Sequence, residues 1–144
     1  MTNADMSKAY LLQAGEILRE AKDLHRREAW SLVVRRSQEV VELSLKAALR
    51  NIGIEAVKVH DVGSLLRAHQ GKFPASFRRE VDRLAAISRR LRMERELSFY
   101  GDEETGASPQ DLYRKGDAAE YLKEAAYVHD RCRIFLGGRR RAGA

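Results

Sequence analysis

Arg95 and Tyr100 are the side chains in this sequence whose types and spacing best suit contact with a nucleotide. An arginine offers a planar fork of hydrogen-bond donors to phosphate oxygens, and a base can stack on a tyrosine ring, which is typically worth about 1–3 kcal/mol. The acidic residues Asp102, Glu103 and Glu104 follow, and we expect them to shape ligand selectivity or to contact a partner. A structural alternative stays open, in which Arg95 pairs with Asp102 or Glu103 and the Tyr100 ring packs against its own fold.

Positive charge is concentrated in the segment that leads to Arg95. The formal net charge is +6, and residues 67–95 contain nine Arg or Lys residues and three acids, which is the same excess. Phosphates of RNA, DNA or a nucleotide are attracted to such a cluster, so Arg89, Arg90 and Arg92 join Arg95 as predicted ligand-binding residues. The alternative interpretation is a solvated helix face that serves solubility.

Other polar residues are weaker candidates for chemistry. Five residues separate Arg19 from His25, a spacing that could serve a catalytic arginine and histidine. A chance match is easy in a chain this rich in arginine, so we do not expect a site there. His60 is interpreted as a residue at the start of a helix whose ring bonds a backbone group. Glu42 and Lys46 stand four residues apart with the acid first, which is the favoured order for a helical ion pair. We therefore expect a structural pair rather than a catalytic acid and base.

The sequence predicts neither a metal site nor a cofactor. Cys132 is the single cysteine, so no internal disulfide can form, and the four histidines lack the spacing of zinc ligands. No apolar run approaches the roughly 20 residues of a membrane span. The polar N-terminal residues also lack the features of a signal peptide. We expect a cytoplasmic protein that does not contact a membrane.

Helices must position these residues, because apolar side chains recur at spacings of three and four almost throughout the chain. Asn3 is expected to cap the first helix, and a second helix is predicted over residues 29–51, ended by Gly53. Asp61 is expected to cap a brief helix that ends at Leu66. The apolar positions of the four long helices are Tyr10, Ala14, Ile17, Ala21 and Leu24; Trp30, Val34, Val41, Leu45 and Ala48; Phe77, Val81, Leu84, Ile87 and Leu91; and Tyr121, Ala125, Val128, Cys132 and Phe135.

The second half of the chain predicts two more long helices that flank an exposed loop. Gly71 and Pro74 interrupt the chain before the third long helix. Residues 101–109 lack periodicity and predict the loop. Asp117, with Glu120 three residues later, resembles a capping box at the start of the last helix.

The expected fold class is all-α, an antiparallel up-and-down four-helix bundle with an additional short helix. A chain of 144 residues suits one domain with one core. Residues 1–136 are predicted to form this domain, and residues 137–144 a basic, disordered tail.

Two segments resemble the HEPN domain, a compact helical module. One is the stretch Val40–Leu49, VVELSLKAAL, which carries Glu42 and Lys46 one turn apart, and the other is His60–Leu66, HDVGSLL. The resemblance extends from the first helix to about Leu136. It implies a helical bundle, usually a dimer, that is often encoded beside a small nucleotidyltransferase. Many members act as metal-independent ribonucleases or as toxins paired with an antitoxin.

The resemblance departs from the family pattern at one position of its motif. The family signature is an arginine followed after four to six residues by a histidine, and two such motifs meet across the dimer to cleave RNA. The matching segment RELSFYGDEE supplies Arg95 but places Tyr100 where the histidine would stand. A histidine titrates near pH 6.5 and a tyrosine near 10, so a tyrosine is a poor base at neutral pH. We therefore expect the chain to bind RNA or a nucleotide rather than to cleave RNA. For the alternative in which it cleaves RNA, Arg95 and Tyr100 are the catalytic candidates.

Three functional hypotheses follow. The first is a dimeric HEPN-like module that binds a nucleotide or RNA and works with a small nucleotidyltransferase in a toxin–antitoxin-like pair. The second is a metal-independent ribonuclease in which Arg95 stabilises phosphate charge and Tyr100 or a nearby acid replaces the histidine. The third is a helical scaffold whose basic patch serves solubility.

Overall fold

The computed structural model describes residues 1–143, with side chains described for residues 1–137, and it is all-helical, as the sequence predicts. Within these residues no strand forms, and no helix combines the length and the apolar character needed to cross a membrane. The elements are α1 (Asn3–Arg26), α2 (Trp30–Asn51), α3 (Gly63–Ala68), a 3-10 turn (Gln70–Lys72), α4 (Ala75–Arg78), α5 (Val81–Met93), α6 (Leu97–Tyr100), α7 (Pro109–Leu112) and α8 (Lys115–Gly143).

Helix α2 is the centre of the fold. It follows α1 after a short joint and packs along it as a helical hairpin, and its other sides contact α5, α6, α7 and α8. A helix surrounded in this way must bury most of its circumference. Twelve of its 22 residues are buried. The main core gathers side chains from α1, α2, α3, α5 and α8, among them Leu45, Leu49, Leu66, Leu84 and Leu91.

The N-terminal caps of two long helices differ from the predictions. The cap of α1 is Thr2, whose hydroxyl accepts the Asp5 amide while the Asp5 carboxylate accepts the Thr2 amide. Asn3 instead accepts a hydrogen bond from Arg50 on α2. At α8, the Asp117 carboxylate accepts the backbone amide of Arg114, so Asp117 lies inside the first turn rather than before it.

The predicted third long helix is divided in two. Its first turn is α4, and α5 begins only at Val81. Between them the Glu80 amide donates to the Phe77 carbonyl three residues back, which is the tighter 3-10 pattern. The tail predicted for residues 137–144 stays a prediction, because the side chains of residues 138–144 lie outside the described part of the chain.

The loop that follows α6 depends on a glycine. Gly101 ends α6 with φ +79° and ψ −171°, a conformation essentially restricted to glycine. A Cβ atom at this position would collide with the backbone carbonyl oxygen of Ala107. That close approach accompanies the hydrogen bond from the Asp102 amide to the same carbonyl, which closes the loop back against its start.

We predict that Gly101→Ala destabilises the protein by about 2–4 kcal/mol, because it combines a strained backbone with a steric collision. Gly106→Ala is the matched control, since Gly106 also has a positive φ, +77°, but a Cβ there meets nothing within 4 Å. It should cost only about 1–2 kcal/mol. Urea unfolding of both variants provides the measurement, and equal losses would show that the close approach to Ala107 does not matter.

Candidate functional site

Four side chains converge on the carboxylate of Glu42. One oxygen, Oε1, accepts a hydrogen bond from Gln38 Nε2 at 2.9 Å, lies 3.0 Å from His60 Nδ1 and accepts from Arg95 Nη1 at 3.5 Å. The other oxygen, Oε2, accepts from Lys46 Nζ at 3.0 Å. Arg95 Nη1 also donates to Gln38 Oε1 at 2.8 Å. We refer to these five residues as the Glu42 cluster.

Three elements supply the members of the Glu42 cluster. Gln38, Glu42 and Lys46 recur every four residues on α2, so they lie on one face of that helix. Arg95 follows the end of α5, which packs against α2. His60 lies in the connection between α2 and α3. The cluster therefore forms only when the three segments have packed.

The Glu42 cluster is largely withdrawn from solvent. The Glu42 side chain is 14% exposed and that of Lys46 11%, and Gln38 is buried. Burial alone would raise the pKa of Glu42. The hydrogen bonds from Gln38, Lys46 and His60 and the charge of Lys46 outweigh burial, so the pKa of Glu42 lies below its ordinary value. The carboxylate is therefore held in its charged form. The predicted Glu42–Lys46 ion pair is confirmed.

Arg35 fastens the turn that carries Arg95. Its Nη1 donates to the backbone carbonyl of Arg95 at 2.7 Å, and its Nε lies 3.4 Å from a carboxylate oxygen of Glu39. The same guanidinium lies over the ring of Phe99, 4.8 Å from the centroid, in a cation–π contact. One side chain of α2 thus holds both the Arg95 backbone and the first aromatic residue of α6.

The structural alternative for Arg95 and Tyr100 is wrong, whereas ligand binding by these residues stays a prediction. Arg95 pairs with Glu42 and Gln38, not with Asp102 or Glu103. Tyr100 does not pack into the fold: its side chain is 64% exposed, and its ring meets Phe99 edge-on at 5.1 Å between centroids. An exposed aromatic ring of this kind is available to a ligand or a partner.

The acidic residues after Tyr100 have different roles. The Asp102 carboxylate accepts the backbone amides of Glu104 and Thr105, which is a turn-forming arrangement. Glu103 and Glu104 are exposed on the same loop. Asp102 therefore serves the loop conformation, while an influence of Glu103 on a ligand stays a prediction.

The basic patch is partly neutralised by nearby acids. Arg90 pairs with Glu124 of α8, and Arg92 pairs with Glu96 at 2.8 Å, while Arg89 is exposed. The Arg92–Glu96 pair is largely exposed, and a pair of this kind contributes about 0–1 kcal/mol, so a phosphate can compete with it, whereas Glu124 is only 16% exposed.

Sequence reasoning missed Gln38 and His60 as members of the site. His60 bonds a carboxylate, not the backbone group that was expected. The available signal was polar residues repeated every four positions on a helix that is otherwise buried, since buried charges require partners. Arg19 and His25 are not brought into a site: Arg19 lies near Glu16, and the His25 ring packs edge-on against Trp30.

Neither of two cavities beside the helices encloses the predicted site. The smaller, about 200 Å³, is lined by Glu42 and Lys46 and is below the range of about 300–1,000 Å³ that is typical of small-molecule pockets. A ligand of the cluster must therefore lie mainly on the surface. The larger, about 940 Å³, lies over Phe73, Phe77 and Phe135 and contains none of the predicted site residues. Among the described residues, no group of three or more His, Cys, Asp or Glu side chains is placed to hold a metal ion.

The fold and the site together define an all-helical module with a partly buried charged cluster next to an exposed aromatic turn. The family model of the HEPN domain matches residues 7–135, so the chain belongs to the HEPN domain family. The resemblance in the two helical segments is confirmed, and this membership supports a nucleotide- or RNA-binding function for the helical domain. No curated protein and no solved structure shows significant similarity to the chain.

We predict that Glu42→Gln destabilises the protein by about 1–3 kcal/mol at pH 7, because the neutral amide loses charge-assisted hydrogen bonds to partly buried donors. The folded-state pKa of Glu42 is depressed, so its contribution is present above the unfolded-state pKa, about 4.3, and is lost as the pH falls through the folded value. The difference between parent and variant in urea unfolding should therefore shrink on acidification from pH 7 to about 3.

Glu55→Gln is the matched control for Glu42→Gln. Glu55 pairs with Arg50 at 3.2 Å but its side chain is 60% exposed, so its substitution should change the free energy of unfolding by less than about 1 kcal/mol. Equal effects of the two substitutions would contradict the central role of Glu42.

Proposed function

We propose that this chain is an HEPN module that binds single-stranded RNA or a nucleotide at the surface formed by Arg95 and Tyr100. The observation that carries the proposal is the contrast between the two side chains. Arg95 is held in place by Gln38 and Glu42, whereas Tyr100 is 64% exposed. A fixed cation and an open ring on one turn are the two elements that contact a phosphate and a base.

The hydrogen bonding of Arg95 leaves donors for a phosphate. Its contacts with Gln38 and Glu42 all use Nη1. A guanidinium carries five N–H groups, so a ligand can approach the remaining ones without breaking these contacts. Because the side chain is already ordered, binding costs less conformational entropy than for a mobile arginine. Arg89 and Arg92 add positive charge on the helix that leads to this turn.

We also propose that the module forms a homodimer through the α5–α6 segment. Three of the large exposed hydrophobic side chains, Met93, Phe99 and Tyr100, fall within eight residues of one another. This segment and the adjoining loop carry both basic and acidic residues. A two-fold interface brings the same surface of two copies together, and mixed charge suits such self-complementary contact.

The proposed protein partner is a small nucleotidyltransferase in a toxin–antitoxin-like pair. Family membership supports this assignment, which names the class of partner and not its docking surface. The gene next to the coding sequence offers a direct test, and co-purification of its product with this chain would be the biochemical counterpart.

A metal-independent ribonuclease is the second candidate function. The observation that favours it is that a histidine, His60, and Arg95 approach the same oxygen of Glu42. The reaction would require RNA to bind at this surface, so binding is the property to measure first.

We predict that Tyr100→Ala weakens retention of labelled single-stranded RNA by about 5- to 160-fold, because a stacked base is worth about 1–3 kcal/mol. Tyr100→Phe keeps the ring and should bind like the parent. Arg95→Lys keeps the charge but loses the planar fork, and we expect weaker binding without loss of fold. Arg26→Lys, on the exposed end of α1, is the matched control, because it makes the same substitution outside the proposed site. Equal effects of Arg26→Lys and Arg95→Lys would reject a specific site.

We predict that Phe99→Ser lowers the apparent mass in sedimentation equilibrium from a dimer to a monomer, because it removes an apolar contact from the proposed interface. Leu12→Ser is the control, since Leu12 is 74% exposed on α1, away from α6 in sequence. A parent protein that sediments as a monomer at all concentrations tested would reject the homodimer.

A further inference from the structure

The larger of the two cavities has the size and the walls of a small-molecule site. Its volume is about 940 Å³, and its walls are the end of α2, the segment from Lys72 to Glu80 and the part of α8 from Arg131 to Leu136. We refer to it as the α4–α8 cavity. Ligand sites are typically concave, largely apolar and about 300–1,000 Å³ in volume, with a few polar groups that orient the ligand. The α4–α8 cavity fits this description.

The apolar walls of the α4–α8 cavity suit a hydrocarbon chain better than a flat ring. Phe73, Phe77 and Phe135 pack on one another with centroid separations of 4.6 to 5.5 Å. A ring inserted between two others needs about twice the distance of a single ring contact, so these rings leave no slot for one. Phe73 and Phe77 are also only 3% and 4% exposed. The other apolar walls include three half-buried aliphatic side chains: Ile52, Ile134 and Leu136.

Arg131 provides a polar anchor at one wall of the cavity. Its Nη2 donates to Asp130 at 3.1 Å, but the same carboxylate also accepts from Arg133 at 2.6 Å. One acid is thus shared by two guanidinium groups, which leaves an excess of positive charge. Arg131 Nε is buried and has no hydrogen-bond partner among the described side chains. Because a guanidinium carries five N–H groups, Arg131 retains donors for a second carboxylate.

The charged groups of the cavity complement a single negative charge. Two cations, Lys72 and Arg131, and one acid, Glu80, are among its lining residues. The lining therefore carries a net positive charge, and charge complementarity of this kind selects an anionic ligand.

We propose that the α4–α8 cavity binds a fatty-acid anion. Its carboxylate contacts Arg131 and Lys72, and its chain lies along the aliphatic walls. A concave cavity of this size encloses a single chain, so the ligand is the free acid and not a bilayer surface. None of the residues proposed to bind RNA lines the cavity, so this inference is independent of the proposed function.

The first test is calorimetric titration of the protein with decanoate, kept below the concentration at which decanoate forms micelles. We expect saturable binding, and octanoate should bind about 15-fold more weakly because each buried CH₂ contributes about fourfold. Arg131→Gln should weaken decanoate binding by about 10- to 160-fold, through loss of a charge-assisted hydrogen bond. Arg133→Gln is the matched control, since it removes the same charge from the same acid but does not line the cavity.

A second pair of variants tests whether the cavity itself holds the ligand. Ser76→Trp places a large side chain at an exposed position that lines the cavity, and it should abolish decanoate binding. Ala75→Trp is the control, because Ala75 is equally exposed and does not line the cavity. Retention of RNA should be the same in all four variants.

Three results would overturn the fatty-acid site. They are no saturable binding of decanoate to the parent protein, equal affinities of Arg131→Gln and Arg133→Gln, and equal affinities of Ser76→Trp and Ala75→Trp. Urea unfolding of each variant identifies any loss of binding that is due to loss of fold. The Arg131 and Arg133 pair remains decisive if a tryptophan variant does not fold.

Discussion

The charge of Glu42 constrains much of this structure. A carboxylate that is only 14% exposed must find partners or become protonated, because an unpaired charge in such a place is costly. Helix α2 supplies two partners from its own face, and the other two come from distant segments. The packing of α5 and of the α2–α3 connection against α2 therefore brings together groups that need one another electrostatically. The cluster is both a structural contact and the support of the proposed site.

The site has a fixed part and an open part, and Arg35 connects them. The Glu42 cluster holds Arg95 from its side chain, while Arg35 holds it from its backbone carbonyl. The Arg35 guanidinium also lies over the ring of Phe99, and the Tyr100 ring meets that ring edge-on. A rigid scaffold that presents a few exposed groups on a turn is a common arrangement for binding surfaces. Gly101 then turns the chain away immediately after Tyr100.

The sequence predicts the helices well because their apolar periodicity is a local property. Helix α2 begins within one residue of its predicted start and ends where predicted. The caps were wrong by a few residues because neighbouring polar side chains, such as Thr2 and Asn3, compete for the same backbone amides. Arg95 was predicted as a site residue from its type, its spacing to Tyr100 and the family resemblance. Its partner Glu42 lies 53 residues away, so their contact depends on helix packing that no local pattern reveals.

The four-residue repeat of Gln38, Glu42 and Lys46 has a consequence for how this protein can change over evolution. Val41 and Leu45, which alternate with these residues along α2, are almost wholly buried in the main core. Any substitution that makes α2 rotate or slide to fill a gap moves the polar face by the same amount. Core and site therefore cannot drift independently, and changes in the interior of α2 should be accepted mainly in compensating groups.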